Sequence, residues 1–208
     1  MTGILKTLYA AVAFGLVSVS AAASITNEQA PGKPRITHSA GLSGAGGYIF
    51  QTNPFFKGEN SEGSPMRQSF STHLKYSFRW NPGTYFGDLY PYTSQGIGLA
   101  YNSFCNNTEI GSPTALFIFQ NSRIASLTPN LSLDYEWNFG ISFGWRPFDE
   151  ESNIWNYVVG SKMNAYINLG LLLNWSFAPH WSLTAGAALS HYSNGNTKYP
   201  NAGVNTIE

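Results

Sequence analysis

The sequence predicts an all-β protein: a small antiparallel transmembrane β-barrel of eight strands. Three observations lead to this prediction, namely long segments of alternating apolar and polar residues, more aromatic than charged residues, and an N-terminal export signal. Aromatic residues make up 15% of the chain and charged residues 11%. Soluble proteins average about a quarter charged residues, so much of this surface is expected to face something other than water.

The first 23 residues have the pattern of a secretory signal peptide. Lys6 precedes an apolar run over 8–19, and small residues at 20–23 suit cleavage before Ser24. No later segment approaches the roughly 20 continuous apolar residues of a membrane-spanning helix. We therefore expect a signal peptide over 1–23 and a single outer-membrane β-barrel domain over 24–208.

The alternation is clearest over 130–145, where every odd residue is apolar and every even residue is polar or glycine. A similar alternation holds over 69–80, where the apolar residues occupy even positions, and, more loosely, over 163–177. Strands of soluble proteins average about five or six residues, whereas these segments are long enough to cross a bilayer at a tilt. A face of Asn, Ser and Gly also suits the narrow, hydrated interior of a barrel.

The pattern predicts seven full strands, with an eighth beginning near Val204. They cover 36–50, 68–80, 94–104, 113–121, 130–145, 163–177 and 181–194. With the N-terminus on the periplasmic side, the connections 81–93, 122–129 and 178–180 are expected to be periplasmic, and 51–67, 105–112, 146–162 and 195–203 extracellular. Because an antiparallel barrel needs an even number of strands, we expect the eighth to be truncated at Glu208.

The four tryptophans at predicted strand ends are expected to form aromatic girdles: Trp80, Trp175 and Trp181 at the periplasmic rim and Trp145 at the outer rim. The chain has 11 basic and 11 acidic residues, so no net charge favours nucleic acid as a partner. Its single cysteine, Cys105, excludes an internal disulfide and any site with several cysteine ligands for zinc.

His191 and Ser193 fall on the lipid-facing side of the seventh strand, where polar residues are costly. Side chains two residues apart on a strand share a face and lie roughly 6 to 7 Å apart, so the imidazole can reach the hydroxyl. A base beside a serine is the minimum of a nucleophilic hydrolase. On spacing alone, however, the pair is better explained as polar residues at the membrane interface.

The run 191–203 resembles the signature of the PagL family of outer-membrane lipid A 3-O-deacylases, His-x-Ser-Asn followed by a short loop ending in Pro-Asn-x-Gly. The resemblance implies an eight-stranded barrel that hydrolyses the 3-O-linked hydroxyacyl ester of lipid A in lipopolysaccharide. It implies Ser193 as the nucleophile and His191 as the base, without metal or cofactor. Backbone N–H groups near Asn194 and Gly195, with the Asn201 side chain, would form the oxyanion hole.

The third catalytic position departs from the family. Well-known members have a glutamate two residues after the Pro-Asn-x-Gly stretch, where this chain has Asn205. An asparagine carbonyl can accept the imidazole N–H but cannot stabilise imidazolium by charge, so we expect lower activity. Glu208 is not expected to replace the missing glutamate. It lies an odd number of residues from Asn205 and therefore points to the other face of the strand.

Two other classes of protein remain open. The first is a non-enzymatic outer-membrane barrel, an adhesin or structural protein, acting through extracellular loops such as 146–162, with its Phe148, Trp155 and Tyr157. The second is a soluble periplasmic sandwich, in which the apolar faces of 131–145 and 163–177 would pack against each other. The sequence does not predict an oligomeric state or a preferred acyl-chain length.

Overall fold

The computed structural model describes residues 19–25 and 35–208. Within these residues nine antiparallel strands form one sheet: β1 (Val19–Ile25), β2 (Ile36–Ile49), β3 (Gln68–Trp80), β4 (Thr93–Ser103), β5 (Gly111–Thr128), β6 (Leu131–Trp145), β7 (Met163–Ala178), β8 (Trp181–Ser193) and β9 (Val204–Ile207). Two short helices, α1 (Pro54–Lys57) and α2 (Tyr85–Leu89), lie in the connections. No helix of the described part is long and apolar enough to cross a membrane.

The sheet closes into a ring with eight strand positions. β2 to β8 follow one another in chain order, and the remaining position, between β8 and β2, is shared by β1 and β9. Ile207 of β9 pairs with both Leu189 and Tyr48, whereas β1 pairs with the opposite ends of β8 and β2. This ring confirms the predicted all-β, eight-position barrel.

The predicted signal peptide remains a prediction. Residues 1–18 lie outside the described residues, and residues 19–23 form part of β1, where they pair with β2. The predicted eighth strand begins at Val204 as expected.

Six of the seven full strands lie within a residue or two of their predicted limits, but β5 is longer than predicted. It continues to Thr128, so most of the predicted connection over 122–129 is strand. Register shifts occur between Arg123 and Ala125 and between Ser126 and Thr128. The exposed apolar residues in this part of the strand, Ile124 and Leu127, are three positions apart, so the alternation of apolar and polar residues does not reveal the end of the strand.

The two faces of the wall differ as the alternation predicts. Outward side chains are apolar and about half exposed, including Leu74, Ile97, Ile118, Phe139 and Leu169 at 53–57%. Inward side chains of β6 are polar and at most 7% exposed: Ser132, Asp134, Glu136 and Asn138. Inside the barrel the Glu136 carboxylate forms an ion pair with the Lys75 ammonium group. The ring thus has an apolar outer surface, and polar residues of β6 line part of its interior.

The two ends of the barrel differ in construction. We call the end that carries the connections 50–67, 104–110, 146–162 and 194–203 the motif end. The opposite end carries the connection 81–92 and two short turns at 129–130 and 179–180, and we call it the turn end. A hydrophobic core fills the motif end and includes the aromatic residues Phe55, Phe56, Phe104, Phe117, Phe119, Trp145, Tyr166 and Tyr192.

The prediction that Trp145 belongs to an outer aromatic girdle is wrong. Its side chain is 4% exposed and its indole N–H donates to the Ser142 hydroxyl at 2.9 Å. Gly144 has a φ of 94°, and the pairing with β5 shifts register beside it. This left-handed residue breaks the alternation and turns Trp145 into the core. At the turn end, Trp175 and Trp181 are 50% and 49% exposed on the outer wall.

Candidate active site

The alternation along β8 directs His191 and Ser193 outward. Ser190 and Tyr192, the residues that precede and separate them, are each 3% exposed and face the interior. Leu189, which precedes His191 by two residues on the outward face, is 52% exposed. The structure therefore confirms the predicted direction of the pair.

Tyr192 anchors this part of the strand from the inside. Its ring lies 5.2 Å from that of Tyr166, 5.3 Å from that of Trp145 and 5.7 Å from that of Phe104. Its hydroxyl donates to Asn102 Oδ1 at 2.9 Å. Because Tyr192 lies between His191 and Ser193 in the chain, its burial limits the movement of both neighbours.

Asn205 lies directly opposite His191 in the pairing of β8 with β9. The distance between His191 Nδ1 and Asn205 Oδ1 is 2.7 Å. An amide oxygen can only accept, so Nδ1 donates the hydrogen bond and the other ring nitrogen, Nε2, is left with its lone pair. That tautomer is the one a general base requires.

The structure does not join His191 and Ser193 by a hydrogen bond. Among the described residues, neither His191 Nε2 nor the Ser193 hydroxyl has a hydrogen-bond partner. Catalytic hydrogen bonds are often long in the absence of substrate and shorten when the substrate is bound. The arrangement therefore holds a base and an uncommitted hydroxyl on one face of a strand.

The loop after Ser193 brings Asn194 and Asn201 together. The backbone N–H of Asn194 donates to Asn201 Oδ1 at 3.0 Å, and Asn201 Nδ2 donates to Asn196 Oδ1 at 3.0 Å. Gly195 and Asn196 have φ values of 63° and 62°, which turn the chain sharply at this point. Both polar groups of Asn201 are thus engaged within the loop, whereas the Gly195 N–H forms no hydrogen bond with any described residue.

Gly203 is a site residue that the sequence analysis did not assign. Its φ is 72°, and a Cβ placed there would lie 3.2 Å from His191 Cε1 and 3.7 Å from Ser193 Cβ. The same Cβ would approach the Tyr192 carbonyl oxygen to 3.1 Å. Glycine therefore keeps the space beside the imidazole and the serine open. Its place at the end of the motif was the signal that could have revealed it.

The connection 146–162 supports the loop that carries the motif. Ala202 donates its backbone N–H to the Val158 carbonyl at 3.0 Å, and Val159 forms a β-bridge with Asn201. A Cβ on Gly160 would lie 2.5 Å from the carbonyl carbon of Tyr199, so the two backbones are in close contact. This connection acts as a scaffold for the candidate site.

Apolar and small residues surround the pair on the outer wall. Ile167 pairs with His191 and is 45% exposed, while Ala165 pairs with Ser193. On the other side of β9, Phe50 donates its backbone N–H to the Asn205 carbonyl at 2.9 Å and is 36% exposed. A substrate that reaches this serine must therefore lie along an apolar surface.

Residues 120–208 match the model of the family described as lipid A 3-O-deacylase (PagL). The resemblance to the PagL family is thereby confirmed over this part of the chain. The match contains every candidate catalytic residue, from His191 to Asn205. The chain matches no curated protein and no solved structure.

The position at which the PagL resemblance implies an acidic residue holds Asn205, and no carboxylate of the described residues is bonded to His191 in its place. Glu208, as predicted, points inward and is 7% exposed. Its carboxylate accepts hydrogen bonds from Ser71 at 2.6 Å and from Asn168 and Ser190 at 3.1 Å. The described residues also contain no group of three or more His, Cys, Asp or Glu that could hold a metal ion.

Proposed function

We propose that this protein is an outer-membrane serine esterase that removes the 3-O-linked hydroxyacyl chain from lipid A of lipopolysaccharide. The observation that carries the proposal is the His191–Asn205 hydrogen bond on the outer wall, with Ser193 on the same strand face. The PagL match supports lipid A 3-O-deacylation as the activity.

The distribution of apolar surface supports a location in the outer membrane. Outward residues such as Leu169 and Leu171 are each 57% exposed, which is unfavourable in water and favourable in hydrocarbon. With the motif end extracellular, His191 and Ser193 lie toward the outer-leaflet interface. Lipid A occupies that leaflet, so its ester groups reach the site from the side of the barrel.

The first half of the reaction transfers the acyl chain to the enzyme. Ser193 Oγ attacks the ester carbonyl carbon while His191 Nε2 takes the hydroxyl proton. The tetrahedral intermediate breaks its bond to the sugar oxygen, and His191 returns the proton to that oxygen as the 3-hydroxyl leaves. Asn205 keeps the ring oriented but adds no negative charge.

The second half of the reaction releases the fatty acid. Water attacks the acyl-Ser193 ester with His191 again as the base, and the products are a 3-hydroxy fatty acid and free Ser193. Of the predicted oxyanion groups, we assign the N–H of Gly195 as the donor to the developing oxyanion. Asn194 and Asn201 would then shape the loop through their mutual hydrogen bond.

Mass spectrometry of lipid A from cells that express the protein tests this proposal. We expect the intact chain to remove one 3-hydroxyacyl group and Ser193→Ala to abolish that loss. Ser190→Ala is the matched control, because Ser190 lies on the same strand but bonds to Glu208 inside the barrel. An unchanged lipid A profile from folded wild-type protein would contradict the proposal and favour the non-enzymatic barrel.

A further inference from the structure

The connection between β3 and β4 exposes a cluster of large apolar side chains at the turn end. Tyr85, Phe86, Leu89 and Tyr90, which lie in and just after α2, are 77%, 47%, 53% and 58% exposed. By contrast, Phe55 and Phe56 of α1, at the motif end, are both fully buried. The exposed cluster is separate from the candidate active site, which lies at the motif end of the barrel.

Thr84 and Asp88 form hydrogen bonds within this connection. The Thr84 hydroxyl accepts from the Gly87 N–H at 3.1 Å and donates to the Asn81 carbonyl at 2.7 Å. Asp88, the single charged residue of 81–92, accepts from the Gly83 N–H at 2.9 Å. Thr84 is therefore the N-cap of α2, and the apolar side chains of the helix remain exposed.

Contacts with β3 place α2 against the outer wall of the barrel. The Phe86 ring lies 5.5 Å from that of Trp80, and the Tyr85 ring lies 5.3 Å from that of Phe86. Trp80 belongs to the outward face of β3, together with the exposed residues Leu74 and Tyr76. The apolar cluster is thus continuous with the apolar outer surface.

Gly87 fixes the side of α2 that faces the barrel. A Cβ at Gly87 would lie 2.1 Å from the Asn81 carbonyl oxygen, so the helix backbone is in close contact with the end of β3. Only glycine allows this approach. The side of α2 opposite Gly87 faces away from the protein.

We propose that α2 is an interfacial anchor whose apolar side chains insert among the phospholipids of the periplasmic leaflet. Tyrosine, phenylalanine and leucine with few charges are typical of membrane-interface segments, and continuity with the outer wall favours lipid over a protein partner. The proposal rests on the membrane location proposed above and is independent of the esterase chemistry.

Lipid-quenching fluorescence tests the anchor in the full chain. The variants Tyr85→Cys, Leu169→Cys and Glu62→Cys are made in a Cys105→Ser background, labelled with a polarity-sensitive fluorophore, and reconstituted in phosphatidylcholine vesicles containing brominated lipid. Leu169 marks the outer wall and Glu62 an exposed loop of the motif end. Heat-modifiable mobility in electrophoresis confirms that each variant folds.

We expect the emission of the label at position 85 to be blue-shifted, and brominated lipid to quench most of its fluorescence, as at position 169. The label at position 62 should be quenched only by aqueous iodide. If 169 is quenched by lipid but 85 responds to iodide, the anchor proposal fails while the membrane location stands. If 169 is not quenched, the membrane location itself fails. Protection of 85 from both quenchers would indicate contact with a second copy and also overturn the anchor.

Discussion

The two faces of β8 near the motif end perform different tasks. On the inward face, Ser190 and Tyr192 are 3% exposed and bond to Glu208 and Asn102. On the outward face, His191 has one hydrogen-bonded side-chain partner, Asn205, among the described residues. Because neighbouring residues of a strand point in opposite directions, one short segment carries both a structural anchor and the pair proposed to be catalytic. Substitutions on the inward face should therefore lower stability, and substitutions on the outward face should lower activity.

Tyr192→Ala should have the largest effect on stability. It removes a buried ring from the aromatic cluster, for which we expect a loss of about 3 to 5 kcal/mol in the free energy of unfolding. Urea-induced unfolding in lipid vesicles measures this loss. Tyr192→Phe is the control: it keeps the ring but leaves the Asn102 oxygen without its donor, with an expected loss of about 1 to 3 kcal/mol. Wild-type stability of the alanine variant would refute the anchoring role.

Gly203→Ala should lower both stability and activity, because a side chain at this position would contact both the Tyr192 carbonyl and the His191 ring. An L-residue at a φ of 72° costs about 1 to 2 kcal/mol, and the new methyl group would displace the His191 ring. We expect roughly a tenfold fall in hydrolytic rate, which equals about 1.4 kcal/mol. Release of 3-hydroxy fatty acid from lipid A in detergent micelles measures the rate.

Gly63→Ala is the matched control for Gly203→Ala. Gly63 has a φ of 63°, and a Cβ there would have no neighbour within 4 Å. It shares the backbone cost without touching the imidazole, so its hydrolytic rate should equal that of the wild type. An equal fall in rate for both variants would show that the effect comes from backbone strain alone.

Asn205→Asp should change activity with the least change in structure. The carboxylate occupies the same volume and stabilises the imidazolium that forms when His191 takes the proton. We expect about a tenfold higher rate, equal to about 1.4 kcal/mol, measured with the same assay. Asn205→Ala should lower the rate, because it removes the acceptor that orients the ring. A rate for the aspartate variant at or below that of the wild type would show that charge at this position does not limit the reaction.

Much of the barrel was predictable because side-chain direction along a strand is a local property. The alternation over 130–145 located β6 to within one residue, and the same count directed His191 and Ser193 outward. The prediction failed at Trp145 and at the end of β5, where a left-handed glycine and two register shifts interrupt the period. Such irregularities depend on how the neighbouring strand pairs.

The sequence by itself determined the direction of most strand side chains and which motif resembles the PagL family, because these follow from neighbouring residues in the chain. The tertiary structure determined which residues of different elements lie next to each other. Pairing of β8 with β9 places Asn205 opposite His191 and Gly203 beside the imidazole, and packing on Trp80 sets the outward position of α2. Those contacts join residues of different elements, and strand register and packing decide between alternatives that the local pattern leaves equal.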